Sequence, residues 1–386
     1  MGVPGFTLIQ NFDIVGKRKT CWHSFLCRFF MLKNRLLLIF LSWILYGGSI
    51  FLYTHIPYYI KFLRSEHYHF LIQNTLFLLL WLYNIYILFF KKDFPLEKER
   101  LYITLCGIRN ILQFLLSAMQ KKLVLSADEK VSLLLFLVKF YFVPIMAVFA
   151  LNNLSNVVLY TKNIPPGFSL ENILLLYFPL VLSLIFLIDV SYYLTGYLVE
   201  STALGNKVLS VESTAFGWLV TLACYPPFNR ISEEFLGWHS KNFNDFGNIY
   251  ISIIMGGIAL LLMSFYLWAT ISLGGKASNL TNRGIVTTGA YGVVRHPSYA
   301  AKNLTWWIMG IPFIFSPQIL SAYSNSTFIH FVLNDLPKAF IPLLSLCAWS
   351  GIYYLRAITE ERHLSKYPDY QIYAEKVRYR FIPKVF

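Results

Sequence analysis

Residues Ile249 to Leu273 read IYISIIMGGIALLLMSFYLWATISL, with no charged side chain over the whole length. A hydrocarbon core takes ~20 predominantly apolar residues in helical form, so this run is a membrane span. Gly256-Gly257 in its middle permits close helix contact. Working backwards, similar runs occur at Leu36–Tyr53, Phe70–Phe90, Leu101–Met119, Val131–Leu151 and Ile173–Leu194. The third carries Arg109 and Asn110 mid-segment, the fourth Lys139 with Pro144 as an expected kink, and the fifth Asp189. Charges inside such segments face a partner or a wet cavity, and an internal polar pair is their ordinary explanation. Ala215–Tyr225 is too short to cross and ends at Pro226-Pro227, so it is expected to be re-entrant. Working forwards, Leu304–Phe315 and Phe340–Tyr354 form an apolar pair suited to a helical hairpin. The expectation is an all-α, polytopic integral membrane bundle of about eight transmembrane helices plus one re-entrant segment.

Composition agrees. The 386 residues are 56% hydrophobic and 18% aromatic, with only 13% charged, and the mean hydropathy is +0.54. The net charge of +14 is spread between apolar runs rather than gathered in one patch. It therefore reads as topology signals and contacts for anionic lipid, with no nucleic-acid partner and no obligate protein partner. The five cysteines show no CxxC spacing, which implies neither a disulfide framework nor a metal site.

Residues 1–35 hold Lys17, Arg18, Lys19, Arg28, Lys33 and Arg35, so they form a basic cytoplasmic leader to a retained first span. Residues 36–245 then form an N-terminal membrane bundle, and 246–386 a C-terminal region with a distinct chemistry. Six crossings before the loop after Leu273 would return that loop, and with it the tail, to the cytoplasmic side. Between them, Val199–Gly205 and Val211–Gly217 nearly repeat, a spacing too short for a solenoid and suited to two helix-start signals.

Two polar clusters stand out in the C-terminal region. The first is Thr288–Tyr299, TGAYGVVRHPSY, with Tyr291, Arg295, His296, Pro297 and Tyr299. The second is Arg356, Glu360, Glu361, Arg362 and His363, followed by Tyr370, Tyr373, Arg378 and Arg380. Pro368 suits the first turn of a last helix, on which Tyr370, Tyr373 and Val377 share a face. Arg295 offers a forked donor for a carboxylate or phosphate, the two glutamates accept from an ammonium, and the tyrosines make walls for a flat base or a cation. Such a set complements a ligand with an amino acid end, a positive centre and an aromatic base, as S-adenosyl-L-methionine has. Interfacial anchoring and charge balance of a basic tail are the ordinary alternatives for either cluster alone.

GAYGVVRHPSY followed by EERHLSKYPDYQIYAEKVRYRFIP resembles the signature of the isoprenylcysteine carboxyl methyltransferase and phospholipid methyltransferase superfamily, over residues 249–386. The resemblance implies S-adenosyl-L-methionine as cofactor, methyl transfer to a lipophilic acceptor entering from the bilayer, and a cofactor pocket open to cytosol. The acceptor would be an isoprenylcysteine-like carboxylate or a lipid headgroup, and the membrane a bacterial inner membrane or the endoplasmic reticulum. It implies cofactor-binding roles for Tyr291, Arg295, His296, Pro297, Tyr299, Glu360, Glu361, Tyr370 and Tyr373, with Arg295 and Glu361 nearest the chemistry. Of the two glutamates, Glu361 is expected to serve the cofactor and Glu360 to pair with Arg356 one turn earlier. AAKNLTWW after the motif, where a glycine is common, and the long N-terminal half depart from the pattern. A similar C-terminal pattern occurs in NADPH-dependent membrane sterol reductases, which carry an acid-arginine-cysteine element where Glu360–His363 stands here. A transporter or lipid-binding protein using Arg109, Lys139 and Asp189 is the third reading.

Overall fold

The structure is a computed structural model that describes residues 32–56, 66–91, 95–117, 119, 122–201, 204–229, 246–314 and 336–385. Most of the basic leader and the link 315–335 of the expected hairpin lie outside these residues. The described chain is all-α apart from one pair of two-residue strands. Among the described residues, five helices are long and apolar enough to cross a membrane: Leu32–His55, Phe70–Phe89, Ala127–Lys162, Leu170–Leu198 and Ile249–Lys276. The chain divides into two compact units near Ser132, so the second unit holds the C-terminal region together with the helices just before it.

In the first unit, α1 (Leu32–His55) and α2 (Glu66–Phe89) run antiparallel. Arg35 donates to Leu88 O and Lys91 O at 2.7 Å each, and Ser42 Oγ donates to Asn84 Oδ1 at 2.6 Å. The expected third span, Leu101–Met119, is α3, Arg100–Leu116. Its 17 residues rise only about 26 Å at 1.5 Å each, short of a ~30 Å hydrocarbon core. Asn110 on it donates to Glu129 Oε1 at 2.8 Å. It is not among the helices fit to cross.

The second unit is built from α4 (Ala127–Lys162), α5 (Leu170–Leu198), α7 (Ile249–Leu273), α8 (Pro297–Ile314) and α9 (Leu336–Leu364), with short α6 (Ala215–Leu222) and α10 (Pro368–Lys376). The α4 helix continues through Pro144. Phe142 on it stacks on Tyr197 near the end of α5, so these two helices are antiparallel. The pair α8 and α9 is the expected hairpin: Tyr299 meets Tyr353, Trp307 Nε1 donates to Ser350 Oγ at 2.9 Å, and Gly310 lies against Leu346.

Helices α5 and α7 run side by side in the same direction. Gly256 faces Phe178, with 3.2 Å between ring atoms and the place a Cβ would take. Further along, Tyr266 and Thr270 donate to the two oxygens of Asp189 at 2.8 and 2.6 Å. Further still, Gly196 packs on Ala277 O so closely that a Cβ would sit 2.1 Å away. Asp189 is thus an internal polar contact with two hydroxyls, as its position within an apolar run suggested.

Two parallel neighbours require the chain between Leu198 and Ile249 to return the length of the bundle. It does so past α6, which starts beside Arg362, through Tyr225 beside Arg356, to Phe246, whose N–H meets Ser252 Oγ at 2.9 Å. Phe246 there joins the buried cluster of Phe178, Ala259 and Met309. The described part of Ala215–Tyr225 runs inward from the site end as far as Tyr225 beside Arg356, and residues 230–245, which link it to Phe246, lie outside the described residues. The second copy of the near-repeat starts a helix, with Thr214 Oγ1 capping Gly217 N, while part of the first lies outside the described residues.

Candidate functional site

The end of the bundle where α5, α7 and α9 finish and α8 begins carries the polar residues. Gly289 opens the motif with φ +64°, and a Cβ there would stand 2.2 Å from Ser272 Oγ, so only glycine makes this turn. Pro297 occupies the first position of α8, where a missing N–H costs nothing. Just before it the backbone zips to the tail: Arg295 N–H donates to Tyr379 O at 2.9 Å and His296 N–H to Arg380 O at 2.8 Å.

Side chains reinforce this join. Arg295 donates through Nε to Glu361 Oε1 at 2.8 Å, and through Nη1 to Val377 O and Arg378 O at 3.0 and 2.7 Å. Arg380 Nε donates to the other Glu361 oxygen at 3.0 Å, and His296 Nε2 lies 3.1 Å from Oε1. Burial alone would push the Glu361 carboxyl up, but the bonds and charges of His296 and Arg295 hold it at about 2. Tyr370, Tyr373 and Val377 do share a buried face, and it packs on Ile285, Tyr291 and Leu364. Tyr373 OH donates to Tyr291 O at 2.8 Å.

Glu360, about 100° around the helix from its neighbour, has different partners. It accepts from Tyr299 OH and lies 3.4 Å from Arg356 Nε, the expected pairing one turn back. Arg356 is buried, with its guanidinium carbon 5.0 Å from the ring centre of Tyr299, 5.7 Å from that of Tyr225 and 5.9 Å from that of Tyr353. It also donates to Asn279 Oδ1. Aromatic faces and one carboxylate offset the desolvation of this cation.

A second wall comes from segments that sequence reasoning left unassigned. Strands β1 (Ser210–Val211) and β2 (Thr281–Asn282) pair antiparallel, placing Ser210 opposite Asn282. Asn206 fixes the approach to β1, accepting from Ser201 N and donating to Val199 O and Gly275 O. Arg283 is 3% exposed and donates to Asn206 O at 2.7 Å and Ser278 Oγ at 2.9 Å. Asn279 donates from both its backbone and its amide to Tyr197 OH at 2.8 Å. Ser210 Oγ lies 2.8 Å from His363 Nε2. Glu212 accepts from Thr214 N and Oγ1 at 2.8 and 2.7 Å, and a Cβ on Gly217 would be 2.5 Å from its Cγ. Those bonds outweigh burial and hold the Glu212 carboxyl below its usual range.

The two walls enclose a cavity of about 160 Å³. Tyr291, Arg295, His296, Tyr299, Glu360, Tyr370 and Tyr373 line one side; Glu212, Asn279, Arg283 and His363 are on the other, with Tyr193 deeper. Of the expected site residues, Pro297 and Glu361 stand behind the lining, the first setting the helix start and the second gripping the tail. Tyr370 is buried and its hydroxyl has no hydrogen-bond partner among the described residues, although buried hydroxyls are normally bonded. Burial pushes the phenols of Tyr291, Tyr370 and Tyr373 up, so they stay neutral donors. Hydroxyls, carboxylates, cations and phenol faces thus converge on one concave space, which makes it the candidate site.

Compared with known proteins, the chain matches no family model, no curated protein and no solved structure.

Proposed function

We infer that the chain is an integral membrane methyltransferase that moves a methyl group from S-adenosyl-L-methionine to a lipophilic acceptor. The observation that carries this reading is the convergence of the two clusters, residues 289–299 and 356–373, on a single cavity that Tyr370 and Tyr373 of the last helix help to line. A sulfonium donor needs alignment more than acid or base groups, and a cavity walled by phenols and fixed polar groups suits that need. Arg295 keeps Nη2 free of hydrogen bonds to the described residues, while Nε and Nη1 are engaged. Its role is to meet the amino acid carboxylate through that remaining donor, with Glu360 taking the ammonium. Glu361 acts as a positioning residue, holding Arg295 in place and the tail over the cofactor.

The fold reading that accompanies this is eight passes through the membrane. They are α1, α2, α4, α5, the return between Leu198 and Ile249, α7, α8 and the Phe340–Tyr354 part of α9. Six passes precede the motif loop, which brings the site to the face where the chain first enters, the cytoplasmic one by the positive-inside rule. The acceptor arrives laterally from the bilayer.

Calorimetric titration of the purified full chain tests the reading. S-adenosylhomocysteine should bind with one site per chain and NADPH should not. Binding of NADPH without S-adenosylhomocysteine would move the chain to the reductase reading, and binding of neither would remove the cofactor pocket.

A further inference from the structure

We propose that α3 does not cross the bilayer but lies in its surface, at the face where the chain enters, and binds anionic lipid headgroups there. This is independent of what the cavity in the second unit binds.

Three joints set the level of the helix. The start of α1 is tied to the end of α2, where Arg35 donates to Leu88 O and Lys91 O. Lys91 Nζ in turn pairs with Glu99 Oε2 at 2.7 Å, and Glu99 is the residue before α3. Further along α3, Asn110 Nδ2 donates to Glu129 Oε1 at 2.8 Å. Glu129 belongs to the first turn of α4, where its Oε2 accepts from Ser126 N at 2.8 Å and its N–H meets Ser126 Oγ at 3.2 Å. This reciprocal cap, with Asp128 and Lys130 beside it, precedes the apolar run from Val131, so it stands at a membrane boundary. From Glu99 to Asn110 a helix rises only about 16 Å, half of a ~30 Å core. A crossing helix carries its middle in hydrocarbon. The middle of α3 is held at the start of its neighbour instead.

The faces of α3 suit that position. Leu101, Thr104 and Gly107 are buried on one side. Beside them Leu105, Leu112 and Leu116 share a face, with Leu116 86% exposed. Met119 and Val124 prolong the exposed apolar strip beyond the helix. Arg109 and Gln113, both exposed, make the next face around. Leucines on one side and polar groups on the other are the pattern of a helix that lies in the interface.

Charge points to the kind of lipid. Residues 91–130 carry eight Lys and Arg against five Asp and Glu. Glu99 is taken by Lys91, and Glu129 by Asn110 and Ser126 N. Glu97 and Asp128 are exposed, against Lys98, Arg109, Lys122 and Lys130. The surplus is positive at the face that the positive-inside rule makes cytoplasmic, where anionic lipid is concentrated.

A small fluorescent amino acid placed singly at Tyr102, Ile108, Leu112 or Ser117 of the full chain tests this in lipid vesicles. Nitroxides near the top or near the end of a lipid acyl chain report depth by quenching. All four positions should be quenched best by the shallow nitroxide. Carried on phosphatidylserine instead of phosphatidylcholine, the shallow nitroxide should quench Leu112 about fivefold more, as one cation near the surface would give. Arg109→Gln with Lys122→Gln should remove that preference and leave the depths unchanged. Leu112 and Gln113 are both exposed, so probes there displace no packed side chain. Aqueous iodide should reach the probe at Gln113 and not the one at Leu112. Best quenching of Ile108 by the deep nitroxide, with Tyr102 and Ser117 shallow, would make α3 a span and overturn the proposal. So would equal quenching by the two lipids, or a probe at Leu112 that neither nitroxide reaches.

Discussion

The two walls of the cavity are made in different ways. The wall from residues 289–299 and 356–380 is knit by charged side chains: one carboxylate, Glu361, receives Arg295, His296 and Arg380. The wall from residues 206–214 and 276–286 is knit mainly by amides and hydroxyls: Asn206 bonds backbone, Asn279 bonds Tyr197 OH, and Ser278 receives Arg283. The first can be undone at a single charge and shifts with pH. The second spreads its cohesion over many neutral bonds and holds its shape.

The largest expected effect breaks the charged wall alone. Glu361→Gln replaces an acceptor of three charge-assisted bonds, each worth about 1.5–3 kcal/mol. Tryptic cleavage at Arg378 and Lys384 should accelerate sharply, and S-adenosylhomocysteine affinity should drop by about a hundredfold or more. Glu360→Gln leaves the strap docked, so cleavage should be unchanged while affinity falls by about tenfold. Equal cleavage in the two variants would mean that the adjacent glutamates do not divide their work.

Acid should loosen the tail without mutation. The Glu361 carboxyl sits at about 2 when the chain is folded, below the ~4.3 of a free glutamate. A depressed folded value means that its stabilisation is fully present above the unfolded pKa and is lost as pH falls through the folded one. Tail cleavage by an acid-active protease should therefore rise between about pH 4 and pH 2, with little change from pH 7 to pH 5. Glu361→Gln should show no such rise, being loose throughout.

The smallest effect concerns the neutral wall. Arg283→Lys cannot reach both Asn206 O and Ser278 Oγ, and should cost about 1–3 kcal/mol of stability, visible as a lower Tm. The tail should remain docked and cofactor affinity should change by less than threefold. A large affinity loss with unchanged Tm would put Arg283 on the ligand and dissolve the distinction between frame and strap.

The same division explains what could be read from the sequence. The span Ile249–Leu273, the helix start at Pro368, the shared face of Tyr370 and Tyr373, and the Glu360–Arg356 pair are local patterns, and each appears where periodicity and spacing put it. The charged wall was visible because its residue types are rare in so apolar a chain. The neutral wall was not, because Asn206, Ser210, Asn279 and Ser278 are ordinary loop residues until β1 meets β2. The density of polar residues from Ser278 to Arg283, just before the motif, was the one available hint. Hydropathy also missed that α5 and α7 are parallel, since direction is a property of neighbours and not of a run. It gave a full span to Leu101–Met119 because an apolar run does not show where its helix stops, and the helix ends at Leu116 after 17 residues.

The central claim, one ligand site shared by two walls, is tested most directly by hydrogen–deuterium exchange of the full chain with and without saturating S-adenosylhomocysteine. The account predicts protection in 368–380 and 289–299 together with a smaller gain in 278–286, and no change in 100–116. Saturating ligand that leaves both 289–299 and 368–380 unprotected would contradict it.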